Sequence, residues 1–158
     1  MNETERKQHQ VLGKILFVLY IGFVFYFLLI SEWYGRTGEM QDYHYNLVLF
    51  REIRRFWDYR EQLGMFAAMA NLAGNILIFV PFGFFMPMAS KRRSFFVTAV
   101  DSLALSFFIE LIQLFTKVGC FDVDDLLLNT IGGMLGYIIF TISSALRRAY
   151  VKKRRRKR

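Results

Sequence analysis

From Met65 to Met88 the chain carries no charged side chain. A run of that length spans a bilayer's hydrocarbon core. Lipid offers the backbone no hydrogen-bond partners, so the run must satisfy its own amides, and a helix does so within one segment. Three further runs share this character, giving expected spans at about 11–31, 65–88, 95–115 and 125–146. With 54% hydrophobic residues and 18 Phe among 158 residues, the composition fits a small membrane protein better than a soluble domain. The expected fold is all-α: one integral membrane four-helix bundle over residues 1–150, followed by a basic tail over 151–158.

The flanks refine this outline. Met1–Gln10 is polar and is expected to have little structure. Lys14 sits inside the first run, near enough to its end to snorkel. Ser31–Tyr34 offers no small-residue cleavage site, so the first helix is read as uncleaved, with Trp33 and Tyr34 at the interface. Between the first two spans, Leu49, Phe50, Ile53, Phe56, Trp57 and Arg60 recur at helical spacing. They define a short amphipathic helix, lying on the membrane surface or packed on the bundle.

Charge sets the orientation. Four spans put both termini and the Lys91–Arg93 loop on one side. That side holds three cations before and within the first span, three in the loop and nine from Arg147 onward: fifteen of the 21 Lys and Arg. The opposite side holds Arg36, Arg51, Arg54, Arg55, Arg60 and Lys117. The positive-inside rule therefore predicts cytoplasmic termini. The run Lys152–Arg158 reads as a topology signal and an anionic-lipid contact, not as a nucleic-acid site. The single cysteine, Cys120, excludes an intrachain disulfide framework.

With that orientation, polar residues on three spans converge at the external end. The set comprises Asn71 in the outer half of the second span and Asn75 near its middle, Glu110 and Gln113 on the third, and Asp122, Asp124, Asp125 and Asn129 at the start of the fourth. Ionisable groups in a membrane are expensive and ordinarily face a bundle interior or a cavity, which marks this cluster as the candidate ligand-binding site. Structural roles compete with that reading. Asp122 or Asp124 suits a helix cap, and the asparagines suit interhelical hydrogen bonding. Gly132-Gly133-Met134-Leu135-Gly136 contains a GxxxG pattern; packing inside the bundle is preferred over dimerisation, and a homo-oligomer is left open. Asp101 lies half a turn away from Glu110 around its helix, in the inner half.

Three motifs carry a family resemblance: Asn71–Gly83 (NLAGNILIFVPFG), Glu110-Leu111-Ile112-Gln113, and Phe121–Gly133 (FDVDDLLLNTIGG). Together they resemble the VanZ-like family. Asn46-Leu47-Val48-Leu49-Phe50 is similar to that family's Asn-Leu-x-Pro-Phe, with Leu49 in place of Pro. Lys117, Gly119 and Cys120 occupy a stretch where many members carry an Arg. The resemblance implies a multi-pass protein of the bacterial plasma membrane, in Gram-positive bacteria linked to teicoplanin resistance. It carries no settled biochemical activity.

The function expected is binding at the outer leaflet, to a membrane lipid, a cell-wall precursor or a lipoglycopeptide. A membrane enzyme acting on a lipid-linked substrate through its carboxylates is an alternative, as is a small transporter or assembly factor. The enzyme reading is disfavoured because no Ser-His or Cys-His pair and no phosphate-cradling glycine loop stands out. No cofactor or metal is expected.

Overall fold

The computed structural model describes residues 3–30, 42–60, 65–90 and 94–156. Helix α1 (Glu3–Phe25) passes into a wider π-helical turn, Tyr26–Ile30. A two-residue strand β1 (Tyr45–Asn46) precedes the short helix α2 (Arg51–Asp58). Helices α3 (Met65–Ala89) and α4 (Phe95–Thr116) follow, then strand β2 (Phe121–Asp122) and helix α5 (Val123–Arg156). Of the five helices among the described residues, four are long and apolar enough to cross a membrane: Val11–Leu29, Leu72–Ala89, Phe95–Thr116 and Val123–Arg154 contain the spans. The all-α reading holds apart from the small β1–β2 pair. The Trp33 and Tyr34 interface lies outside the described residues.

Two helices outrun their expected ends. Glu3–Gln10 is helical instead of unstructured, and the last helix continues ten residues past Leu146, taking the basic tail with it as far as Arg156. The reason is cooperativity. Once a long apolar helix exists, adding a residue needs no new nucleus, and both extensions are rich in Glu, Gln, Lys and Arg, which propagate helices well.

Helix α4 turns polar side chains inward and large apolar ones outward. On α4 the buried residues are Thr98, Ser102, Ser106, Ile109, Glu110 and Gln113, a mostly polar stripe. Its outward faces carry Phe96 and Phe115, 74% and 70% exposed. A helix surrounded by water would gain nothing from that arrangement, whereas lipid makes the outward Phe free of cost. The aliphatic and aromatic core sits between α1, α3 and α4: Tyr20, Val24, Phe79, Phe82, Met86 and Ile109 are buried there.

The parallel pair α3 and α5 meets backbone to backbone. A methyl group at Gly83 would overlap the Gly133 carbonyl, and one at Gly136 would overlap the Val80 carbonyl. The GxxxG pattern is therefore occupied within the chain, as the bundle-packing reading expects. Pro81 lies inside α3 and leaves the Leu77 carbonyl without its helical partner. One residue on, the Tyr20 hydroxyl of α1 donates to the Ile78 carbonyl.

Candidate functional site

The polar groups collect at one end of the bundle, around the α4–α5 connection. Helix α4 stops at Lys117, whose left-handed backbone (φ 56°) turns the chain; the N–H groups of Lys117 and Val118 donate back to the Leu114 and Gln113 carbonyls. The chain then enters β2, which pairs in parallel with β1 in the register Tyr45 with Phe121 and Asn46 with Asp122. The Phe121 N–H donates to the His44 carbonyl at 3.1 Å.

Asp122 is the hub. Its Oδ1 accepts from the Asp124 N–H at 2.8 Å, which caps α5. The same oxygen accepts from Asn46 Nδ2 at 3.0 Å, while the Asp122 N–H donates to Glu110 Oε2 at 3.0 Å. Asn46 also folds its own loop: its Oδ1 accepts from the Val48 N–H at 3.1 Å, an Asx turn leading into α2.

Asp124 works on a different helix. Phe50, at the start of α2, has a left-handed backbone (φ 65°) and provides no side-chain cap. The Asp124 carboxylate supplies it from α5: Oδ1 accepts from the Phe50 N–H, and Oδ2 accepts from the Glu52 and Ile53 N–H groups at 2.8 and 3.2 Å. These are orphan donors of a first helical turn, and a carboxylate there also meets the positive end of the helix dipole. One side chain thus anchors α2 and offsets the cost of a left-handed phenylalanine.

The remaining candidates divide. Asn75 Nδ2 donates to Asp125 Oδ1, joining α3 to α5. Gln113 turns to the first helix, donating to the Leu28 carbonyl at 3.0 Å, where the π-helical turn leaves a terminal carbonyl to satisfy. Asn129 bonds Ser106 Oγ at 2.9 Å, one turn deeper, and its Oδ1 is buried with no hydrogen-bond partner among the described residues. Asn71 lies on α3, but its side chain lies outside the described residues. The structure therefore links Glu110, Asp122 and Asp124 in one chain of bonds and pairs Asn75 with Asp125 beside it. It sends Gln113 and Asn129 to separate contacts.

Two members escaped the site list drawn from sequence. Asn46 was legible only as part of a motif, although an Asn can accept from the N–H two residues on and so start an Asx turn. Glu52 looked like one charge among several on α2. It is partly buried, and paired with Arg55 at 2.7 Å. Burial holds its carboxyl above the ordinary range; Arg55 opposes this and Asp122 adds to it. Asp122 is likewise raised, chiefly by burial, against the lowering effect of its bonds from Asp124 and Asn46. Cys120 reports the whole neighbourhood. Burial, then the charges of Asp122, Glu110, Glu52 and Asp125, push its thiol up to about 11.

Chemically, this end offers acceptors that are mostly already engaged. Among the described residues no group of three or more His, Cys, Asp or Glu is arranged to hold a metal ion. Beside the network stands a different surface. Leu47, Val48, Leu49 and Phe50 are about half exposed or more, and Arg51, Arg54 and Arg55 project from α2.

Comparison with known proteins agrees with the motifs. The VanZ/LLP1 family model matches residues 17–144. The chain is similar to Protein VanZ of Enterococcus faecium, at 32% identity over 107 residues. That match covers 62% of this chain and 66% of the relative, just under two thirds of its length. No solved structure matches the chain. The matched segment contains all four spans' cores and every residue of the hydrogen-bonded network, and by it the chain belongs to the VanZ/LLP1 family.

Proposed function

We propose that this protein is a multi-pass plasma-membrane protein, termini in the cytoplasm, whose polar end lies in the outer leaflet and binds an amphiphilic cell-envelope molecule there. A membrane lipid, a lipid-linked wall precursor and a lipoglycopeptide share the relevant chemistry: an apolar tail joined to a hydrogen-bonding head. The observation that carries this reading is the docking of β1, the Leu47–Phe50 loop and α2 onto the buried network through Asp122 and Asp124. An exposed apolar loop beside three arginines, tied to backbone-bonded carboxylates, suits a membrane interface. Single-domain organisation and α2 as an interfacial amphipathic helix belong to the same reading, supported by the excess of cations on the other side of the membrane.

Relationship to Protein VanZ supports teicoplanin-type resistance as the physiological outcome. The test is teicoplanin susceptibility of a sensitive Gram-positive host. Empty vector is compared with wild type, Glu110→Gln and Asp125→Asn, each at equal membrane level by blot. The expected result is a several-fold rise in inhibitory concentration with wild type, lost in both variants. No protection from well-expressed wild type would overturn the resistance reading; full protection by both variants would remove the site from it.

A further inference from the structure

The opposite end of the bundle holds a second feature, unconnected to the network. A cavity of about 330 Å3 opens between α1, α3 and α4, lined by Phe17, Phe82, Met86, Ala89, Ser90 and Asp101. Asp101 lies six residues into α4, about 9 Å along its axis from Phe95 at 1.5 Å per residue. It has no hydrogen-bond or ion-pair partner among the described residues. Its hydroxyl neighbours along the helix are otherwise engaged: Ser102 Oγ donates to the Thr98 carbonyl at 2.7 Å, and Thr98 Oγ1 to the Ser94 carbonyl at 3.0 Å.

A carboxylate within a span needs a partner, because an ionised group is costly in a low dielectric. Four of the five other lining residues are apolar. The volume lies in the range of small-ligand pockets, room for roughly ten methylene groups at about 30 Å3 each, the volume of a water-sized unit. The occupant that satisfies both properties has an apolar chain and a head that bears a cationic group. A water-filled cavity would satisfy the carboxylate but waste the Phe and Met lining. An anionic amphiphile would fill the lining and repel the carboxylate.

We propose that this cavity binds a membrane phospholipid with a primary ammonium headgroup, the ammonium pairing with Asp101 and an acyl chain lying against Phe17, Phe82 and Met86. The site is separate from the polar end, and its test touches no residue there.

The test is native mass spectrometry of the full-length protein released from neutral detergent micelles. Two lipids with identical acyl chains are supplied, phosphatidylethanolamine and its N-acetyl derivative, in which a neutral acetamide replaces the ammonium and leaves the phosphate charge unbalanced. Wild type is expected to retain the first over the second by about tenfold, a modest preference for one desolvated ion pair. Asp101→Asn should bind both equally, at the level of the N-acetyl lipid. Met86→Trp, which fills the cavity while leaving the carboxylate, should retain neither. Equal retention by wild type, a preference that survives in Asp101→Asn, or undiminished binding to Met86→Trp would each overturn the proposal. Unchanged elution volume and helical circular dichroism guard against misfolded variants.

Discussion

Asp124 and Asp101 are the same residue type in the same bundle, and the two ends use them differently. At the polar end, Asp124 meets three backbone N–H groups and becomes architecture. At the other end Asp101 lines a cavity and has no hydrogen-bond or ion-pair partner among the described residues. The difference teaches that a carboxylate's role in a membrane is set by where unpaired backbone amides lie. Helix starts supply such amides; a helix side, such as the one bearing Asp101, does not.

The largest effect should come from breaking the seam that both ends share. Gly83→Leu forces a side chain into the Gly133 carbonyl, so α3 and α5 must separate. A loss of about 3 kcal/mol, the upper part of the overpacking range, is expected, read as a lowered melting temperature and loss of monodispersity in detergent. Gly22→Leu is the control: an added Cβ there meets nothing within 4 Å.

Next, Asp124→Ala should release α2 while leaving the four spans folded. The expected cost is about 2 kcal/mol, the top of the range for a cap, or roughly thirtyfold in local opening. Amide hydrogen exchange at Phe50, Glu52 and Ile53 measures it. Unchanged exchange would mean the carboxylate is not what holds the helix.

A smaller effect concerns pH. Glu52 and Asp122 have raised carboxyl pKa values in the folded state. The folded form therefore holds protons that the undocked form has released, so docking of α2 should weaken as pH rises above the ordinary carboxylate range. Exchange at α2, corrected for the intrinsic rate, should speed up across that window, and Glu52→Gln should flatten the profile. In the same neighbourhood, Cys120 should alkylate slowly at neutral pH, with a rate still rising toward its pKa of about 11. Asp122→Asn should accelerate it.

The smallest effect sharpens the comparison most. Asp101→Asn breaks no hydrogen bond or ion pair among the described residues, so thermal stability should stay within about 0.5 kcal/mol. A large loss would show that Asp101 is as structural as Asp124.

The spans were legible in the sequence because length and lack of charge are one-dimensional properties, as the uncharged run Met65–Met88 illustrates. The cap formed by Asp122 was legible for a similar reason: it sits beside the helix that it serves. Asp124 was not, since the amides that it satisfies lie on Phe50, Glu52 and Ile53, more than seventy residues earlier. The β1–β2 pair escaped because two residues carry no periodicity, and its partners are brought together by the bundle alone. Gln113 is buried on α4, yet its acceptor is a carbonyl at Leu28, and a backbone acceptor leaves no mark in sequence.

Helix α5 runs without interruption from the Asp122 cap to Arg156. Its 34 residues make a rod about 51 Å long, against a hydrocarbon core of about 30 Å. A tilt of 10° about the capped end would sweep the far end through about 9 Å, by the same rise per residue. Arg147, Arg148, Lys152, Lys153 and Arg154 ride on that arm. A shift at the polar end that tilted α5 as one rod would thereby be magnified into a change in where positive charge stands at its far end.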